Sequence, residues 1–183
     1  MKKQKGFSLI ELLIVVIIIM IIAAIAIPSL LRARISANES AVIGDTRTVI
    51  SASAAYASAN AGWFDSKLVC LNAPATGCIP SYPTNAPTFL DSNIANLMGK
   101  SGYDRSYAAG DAVPAAKIPP QASATSVTSF VYLSSPQSLG RTGVRGFGGD
   151  SSGVLCSNAK GQAPPTKGTI ELNPTAGTCD IFQ

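Results

Sequence analysis

The sequence contains no histidine and few charged residues. Lysine, arginine, aspartate and glutamate make up 13% of its 183 residues, about half the share of an ordinary soluble domain. The absence of histidine excludes Ser-His-Asp and Cys-His catalysis and every metal site that uses imidazole. With 46% hydrophobic residues, the chain is too apolar to be disordered throughout. The composition therefore disfavours an enzyme, and we predict neither catalytic residues nor a cofactor.

The positive charge is concentrated at the N-terminus. Lys2, Lys3 and Lys5 precede Phe7, and without them the chain has 11 basic against 10 acidic residues. A nucleic-acid interface needs basic residues clustered on one folded face, whereas the arginines that follow residue 31 are mixed with acidic residues. We therefore predict no specific nucleic-acid partner.

A long apolar run follows the lysines. The sixteen residues from Leu12 to Ile27 are all apolar, and the wider stretch 7–31 exceeds the roughly 20 helical residues that cross a bilayer. The alternatives are a buried core helix, which is rarely apolar on all faces, and a cleaved secretory signal. Pro28 and the helical pattern that continues beyond it fit such a signal poorly. The lysines predict a cytoplasmic N-terminus, with the C-terminal part outside.

Glu11 interrupts this apolar block. A carboxylate in hydrocarbon costs about 2.5 to 3.5 kcal/mol on insertion scales, so it needs a cationic partner or a proton. The alternative places Glu11 at the level of the headgroups, four residues after Phe7. The surrounding sequence decides between these two interpretations.

Residues 5–12, KGFSLIEL, resemble the cleavage and methylation motif of type IV prepilins, and the resemblance continues through Pro28 to about residue 32. Proteins with this motif include type IV pilins, type II secretion pseudopilins and competence pseudopilins. The resemblance implies that a prepilin peptidase cuts after Gly6 and methylates the new amino group of Phe7. It also implies that Glu11 pairs with the Phe7 amino group of a neighbouring subunit. Such a pair relieves the burial cost of both charges and fixes the axial register.

The same resemblance implies the partners and the location. The precursor would be a single-pass inner-membrane protein, and an inner-membrane assembly platform would build it into a homo-oligomeric filament outside the cell. Gly6 would suit the peptidase, because glycine offers no side chain to obstruct extended backbone in a cleft.

The helix is expected to continue beyond the span, from about Phe7 to Asn60. Pro28 removes a backbone donor and predicts a kink or a locally melted stretch at residues 24–28. Beyond it, Val42, Val49 and Tyr56 recur at intervals of seven and predict an apolar stripe that packs on a downstream domain. The expected segments are a leader (1–6), a membrane and filament-core half (7–31), an amphipathic half (32–61) and a globular extracytoplasmic domain (62–183).

The globular domain is expected to be α+β. Residues 62–126 are predicted to be a long loop region with one short helix at 91–98, and residues 127–183 a small antiparallel sheet against the helix, as in the type IV pilin fold that the resemblance implies. Asp150, in the glycine-rich turn 148–153, is a single carboxylate and too few for calcium. The candidate strands are 127–133, 144–147, 153–156, 169–172 and 179–182.

Cys70, Cys78, Cys156 and Cys179 form an even set on the outer side of the membrane, where disulfides persist. Three pairings are possible. Local pairing, Cys70 with Cys78 and Cys156 with Cys179, resembles the C-terminal disulfide loop of many pilins. A four-cysteine zinc site is the alternative, although neither spacing is the tight pair that zinc sites use.

The leading functional hypothesis is a structural subunit of a type IV pilus, and the alternative is a pseudopilin of a secretion or competence system. The four cysteines and the long chain favour the pilus. A monomeric membrane-anchored binding domain or enzyme would leave Glu11 and the Gly6-Phe7 junction unexplained.

Overall fold

The computed structural model describes residues 6–80, 82–167, 171–172 and 179–182. Its dominant element is the helix α1, Leu9–Ala59, which at 1.5 Å per residue is about 75 Å long. It begins after Ser8 and ends at Asn60, close to the predicted limits. Residues 24–28 are helical, so the melted stretch is not found. Pro28 still lacks an N–H, so it cannot donate to the Ala24 carbonyl, which is where a kink would originate.

The second half of α1 is amphipathic, as the seven-residue spacing predicts. Val42, Val49 and Tyr56 are buried, whereas the opposite side carries exposed polar residues: Ser40, Arg47, Thr48 and Ser51. The buried stripe also includes polar side chains that the spacing does not predict, Glu39 and Asp45 among them. These side chains attach α1 to the rest of the protein.

The α+β prediction is confirmed, because α1 packs on an antiparallel sheet. Within the described residues the strands are β1 Phe64–Asp65, β2 Tyr103–Ala109, β3 Ser126–Val127, β4 Phe130–Pro136, β5 Gly146–Asp150, β6 Leu155–Asn158, β7 Thr166–Lys167, β8 Glu171–Leu172 and β9 Asp180–Phe182. Five of these strands form the sheet, in the order β2-β4-β5-β6-β9, and two short ladders, β1-β3 and β7-β8, accompany it.

The sheet is not confined to residues 127–183, and this part of the prediction is wrong. The strand β2 lies inside the predicted loop region and pairs with β4 over seven residues, from Tyr103 opposite Pro136 to Ala109 opposite Phe130. The alternation is obscured because Arg105, a charged residue, occupies a buried position on this strand. The predicted turn 148–153 is also shorter, since residues 148–150 belong to β5. Part of the predicted strand 169–172 lies outside the described residues.

The rest of residues 62–126 is held in place by burial and cross-links. The predicted short helix is present as α2, Ser92–Ala95, with Asp91 as its N-cap. Two 3₁₀ turns, Leu68–Leu71 and Ala115–Lys117, complete the region. A hydrophobic cluster joins it to α1 and β4 and includes Val49, Tyr56, Leu71, Ile94 and Phe130.

One glycine allows α1 to approach the sheet. A Cβ at Gly149 of β5 would lie 2.6 Å from Thr46 Cγ2 and 2.8 Å from Ile50 Cδ1, well inside van der Waals contact. Any side chain at this position would displace Thr46 and Ile50, so glycine lets the helix rest directly on the middle strand.

Candidate assembly site

The N-terminal residues form the first part of the candidate site. Ser8 is the N-cap of α1, and its backbone N–H donates to Glu11 Oε2 at 2.9 Å. A carboxylate in the first turn also favours the positive end of the helix dipole. The resemblance did not reveal this contact, although the Ser-x-x-Glu spacing of a capping box was a signal for it. Within one chain, Glu11 therefore caps its own helix.

Phe7 and Gly6, on either side of the expected cleavage point, make no packing contribution within the part of the chain that the structure describes. The Phe7 side chain is 84% exposed. A Cβ at Gly6 would have no neighbour within 4 Å. The fold therefore does not require glycine at position 6, and a requirement for it must come from another molecule.

The apolar half of α1 is almost entirely exposed. Its most apolar 18-residue window has a mean hydropathy of 3.3, and none of that window is buried. By length and composition, α1 can cross a membrane. Soluble monomers seldom expose an apolar patch larger than a few hundred Å², and this surface surrounds the helix over several turns. Pro28 lies exposed near its end. This half needs lipid or other subunits around it.

Glu39 attaches the globular domain to α1 just beyond the apolar half. Its Oε1 accepts from the backbone N–H groups of Val144 (2.9 Å) and Arg145 (3.1 Å), and Oε2 accepts from Arg145 Nε (2.9 Å) and Nη2 (2.7 Å). Burial raises the pKa of Glu39, but the bonds from Val144 and Arg145 outweigh it and lower that pKa below 4.5. No local sequence pattern predicts an acid on this face, since the partners of Glu39 are more than 100 residues away along the chain.

Asp45, six residues further along α1, makes the second polar attachment. It pairs with Arg105 of β2, whose side chain is fully buried, and with the half-exposed Lys100 at 3.1 Å. Arg105 is under-satisfied, because its Nε and Nη1 atoms have no hydrogen-bond partner within the described residues.

Asp65 forms the third attachment, at the far end of α1. Its Oδ2 accepts from the hydroxyls of Tyr56 (2.8 Å) and Ser123 (2.7 Å), and its Oδ1 accepts from the Thr125 hydroxyl and the Lys67 N–H, both at 3.0 Å. Burial and the Asp65 carboxylate together raise the pKa of Tyr56, so this phenol stays a donor. The network ties both ends of the 62–126 region to the helix.

The structure joins Cys70 to Cys78 and Cys156 to Cys179, with Cα–Cα distances of 5.7 and 5.2 Å. The first bond lies in the cluster against α1, and the second lies in a separate cluster with Val131. Two bonded pairs are incompatible with the four-cysteine zinc site. Asp150 is occupied by the turn: its Oδ1 accepts from the N–H and hydroxyl of Ser152, and its Oδ2 from Leu172 N–H.

The comparisons bear on the N-terminal part of the chain. Residues 1–27 match the family model described as the prokaryotic N-terminal methylation motif, the signature of type IV pilins and pseudopilins. No curated protein and no solved structure matches the chain. The sequence thus has the signature of a pilin-like precursor, on a helix whose apolar half is exposed and whose other half carries an α+β domain.

Proposed function

We propose that this protein is the structural subunit of a type IV pilus, made as an inner-membrane prepilin and assembled through the apolar half of α1. The observation that carries the proposal is the methylation motif placed at the start of a helix whose first half is exposed and, apart from Glu11, almost entirely apolar. A prepilin peptidase, an inner-membrane assembly platform and further copies of the chain are the proposed partners. Before assembly the N-terminus is cytoplasmic, and afterwards the globular domain faces outward from the filament.

The geometry supports a cleavage step that creates the assembly contact. Cutting after Gly6 converts the Phe7 amide into an amine, which carries a positive charge, one residue before the N-cap. A cation at the positive end of a helix dipole is unfavourable, so the new ammonium benefits from a carboxylate. Glu11 Oε2 accepts from Ser8 N–H, while Oε1 makes no hydrogen bond among the described residues. One carboxylate can thus cap its own helix and accept from a neighbour's Phe7.

The apolar surface of residues 12–31 would contact lipid before assembly and neighbouring subunits afterwards. Residues 12–31 span about 30 Å as a helix, the thickness of the hydrocarbon core. Leaving the bilayer exposes this surface to water unless neighbouring helices cover it at once. Because lipid and helix bundle are both apolar, the transfer between them changes little hydrophobic energy, and the charged pair decides which stagger is stable.

Two substitutions at Glu11 test the proposal. Glu11→Gln keeps an acceptor that can serve a capping box but removes the charge, whereas Glu11→Ala removes both. Breaking one side of a buried pair costs about 3 to 5 kcal/mol, so both variants should be inserted and processed normally but yield little sheared filament relative to total mature subunit. Ser8→Ala is the matched control and should retain filaments.

Normal filament yield from Glu11→Gln would remove intersubunit pairing and leave Glu11 as a helix cap only. The phenotype of a deletion strain distinguishes a pilus subunit from the alternative, a pseudopilin. A pilus subunit deletion abolishes surface filaments in electron micrographs, and a pseudopilin deletion abolishes export of secreted proteins or DNA uptake.

A further inference from the structure

A polar cleft lies where the foot of the globular domain meets α1, directly after the apolar run. Its volume is about 670 Å³, within the range of small-ligand sites. One wall is α1, and the other is formed by residues 101–102, 138 and 140–142. The polar side chains that line it are Arg34, Asn38, Ser101, Ser138, Arg141 and Thr142.

The cleft carries positive charge that the described residues do not neutralise. Arg34 and Arg141 are exposed, and neither forms an ion pair within the part of the chain that the structure describes. The nearest acid on α1 is Glu39, whose carboxylate is occupied by Val144 and Arg145. Among the residues that the structure describes, no carboxylate lines the cleft.

The wall of the cleft is held by its own hydrogen bonds. Asn38 Nδ2 donates to the Thr142 carbonyl at 2.9 Å. The Thr142 hydroxyl lies 3.1 Å from both the backbone N–H and the carbonyl of Ser138. The hydroxyls of Ser101 and Ser138 make no hydrogen bond among the described residues and remain as donors. The cleft is therefore a preformed concave surface with cations and hydroxyls around it.

If the protein is inserted in a membrane as proposed above, the cleft lies beside the lipid headgroups. With residues 12–31 in hydrocarbon, Arg34 lies at the level of the headgroups in the non-cytoplasmic leaflet. Arg32 and Arg34 also weaken the lysine asymmetry that favours a cytoplasmic N-terminus. Their placement opposes correct insertion and calls for a compensating role.

We propose that this cleft binds the phosphate of an anionic phospholipid in the non-cytoplasmic leaflet. Arginine guanidinium groups match phosphate oxygens with paired N–H donors, and serine hydroxyls add neutral donors. The acyl chains of the same lipid would lie along the exposed side chains of Leu31 and Ile27. A ligand with an anionic head and an apolar tail fits both the cationic cleft and the apolar side chains beside it. A carboxylate from a second copy of the chain fits only the cleft.

The test uses the full chain in a neutral detergent with equimolar phosphatidylglycerol and phosphatidylcholine, and native mass spectrometry counts the retained lipids. We expect wild type to retain phosphatidylglycerol about tenfold more than phosphatidylcholine, the scale of one charge-assisted hydrogen bond. The Arg34→Gln/Arg141→Gln double variant should lose this preference. Arg32→Gln removes a charge at nearly the same depth but outside the cleft, and Arg47→Gln removes one further along α1; both should keep the preference.

Several outcomes would overturn the assignment. Equal losses in Arg32→Gln and in the double variant would mean diffuse attraction rather than a site. Displacement of the lipid by equimolar inorganic phosphate would mean a free-oxyanion site. Loss of chain dimers with the double variant, without lipid preference in wild type, would assign the cleft to a second copy. Filaments without lipid preference would contradict only the cleft, and lipid preference without filaments only the proposed function.

Discussion

The buried carboxylate of Glu39 contributes a pH dependence to the stability of the protein. Its pKa is lowered in the folded state because the donors of Val144 and Arg145 favour the ionised form against burial. A group with a lowered folded pKa stabilises the fold above its unfolded pKa, and this contribution is lost as the pH falls. This contribution of Glu39 to stability is therefore complete above about pH 4.5 and decreases as the pH falls towards the pKa of Glu39 in the folded protein.

We predict that Glu39→Gln lowers the free energy of unfolding at neutral pH by about 1.5 to 3 kcal/mol, the worth of hydrogen bonds to a charged group. Below pH 4.5 the difference between wild type and variant should shrink. Urea titrations in detergent, followed by the fluorescence of the single tryptophan, Trp63, measure both effects. Asp111→Asn, at an exposed acid, is the control, and a difference that stays constant with pH would contradict the prediction.

Gly6 is a residue whose substitution separates folding from processing. Since a Cβ there has no neighbour within 4 Å, we predict that Gly6→Val folds normally but is not cleaved. Mass spectrometry of the N-terminus should then find precursor in the membrane and no chain that starts at Phe7. Gly44→Ala, whose Cβ also has no neighbour, should be processed as wild type. Efficient cleavage of Gly6→Val would contradict the peptidase hypothesis.

At the scale of elements, the contact between α1 and β2 depends on the pair Asp45 and Arg105. We predict that Asp45→Ala destabilises the protein by about 3 to 5 kcal/mol, because it leaves a fully buried guanidinium without its anion. The double variant Asp45→Ala/Arg105→Met should recover most of this loss, since an apolar chain of similar length needs no partner. Urea unfolding of wild type, Asp45→Ala, Arg105→Met and the double variant forms a mutant cycle, and a double variant no more stable than Asp45→Ala would contradict the reasoning.

Elements defined by local periodicity were predictable from the sequence, and those defined by distant partners were not. The buried stripe of α1 follows from the spacing of Val42, Val49 and Tyr56, and its C-terminal limit follows from the stop signal Asn60-Ala61-Gly62. The strand β2 was missed because Arg105 occupies a core position, which only its Asp45 partner on α1 makes stable. Glu39 had no sequence explanation for the same reason. At the candidate site, Gly6, Phe7 and Glu11 follow from a local motif, but the cap between Glu11 and Ser8 was overlooked.

At the scale of the whole molecule, the disulfides stabilise two different parts of the globular domain. Cys70–Cys78 spans 8 residues and Cys156–Cys179 spans 23, for which loop closure contributes about 2.5 and about 3.5 kcal/mol in the chain-entropy account. We predict that Cys156→Ala/Cys179→Ala destabilises the domain more than Cys70→Ala/Cys78→Ala, because it also releases β9 from the sheet.

Urea unfolding measures this order, and non-reducing peptide mapping of wild type measures the connectivity. A peptide that joins Cys70 to Cys156 would contradict the pairing. Four free thiols would contradict the extracytoplasmic location as well.

The three attachments of α1 also determine how the protein responds to force. Glu39, Asp45 and Tyr56 lie along one rod, separated by about 9 and 16 Å of helix. A pull along the helix axis loads the contacts of all three in parallel, in shear. A pull perpendicular to the helix at one end would break these contacts one after another, so that each contact bears the load alone. The globular domain would therefore resist sliding along α1 more strongly than being peeled away from it.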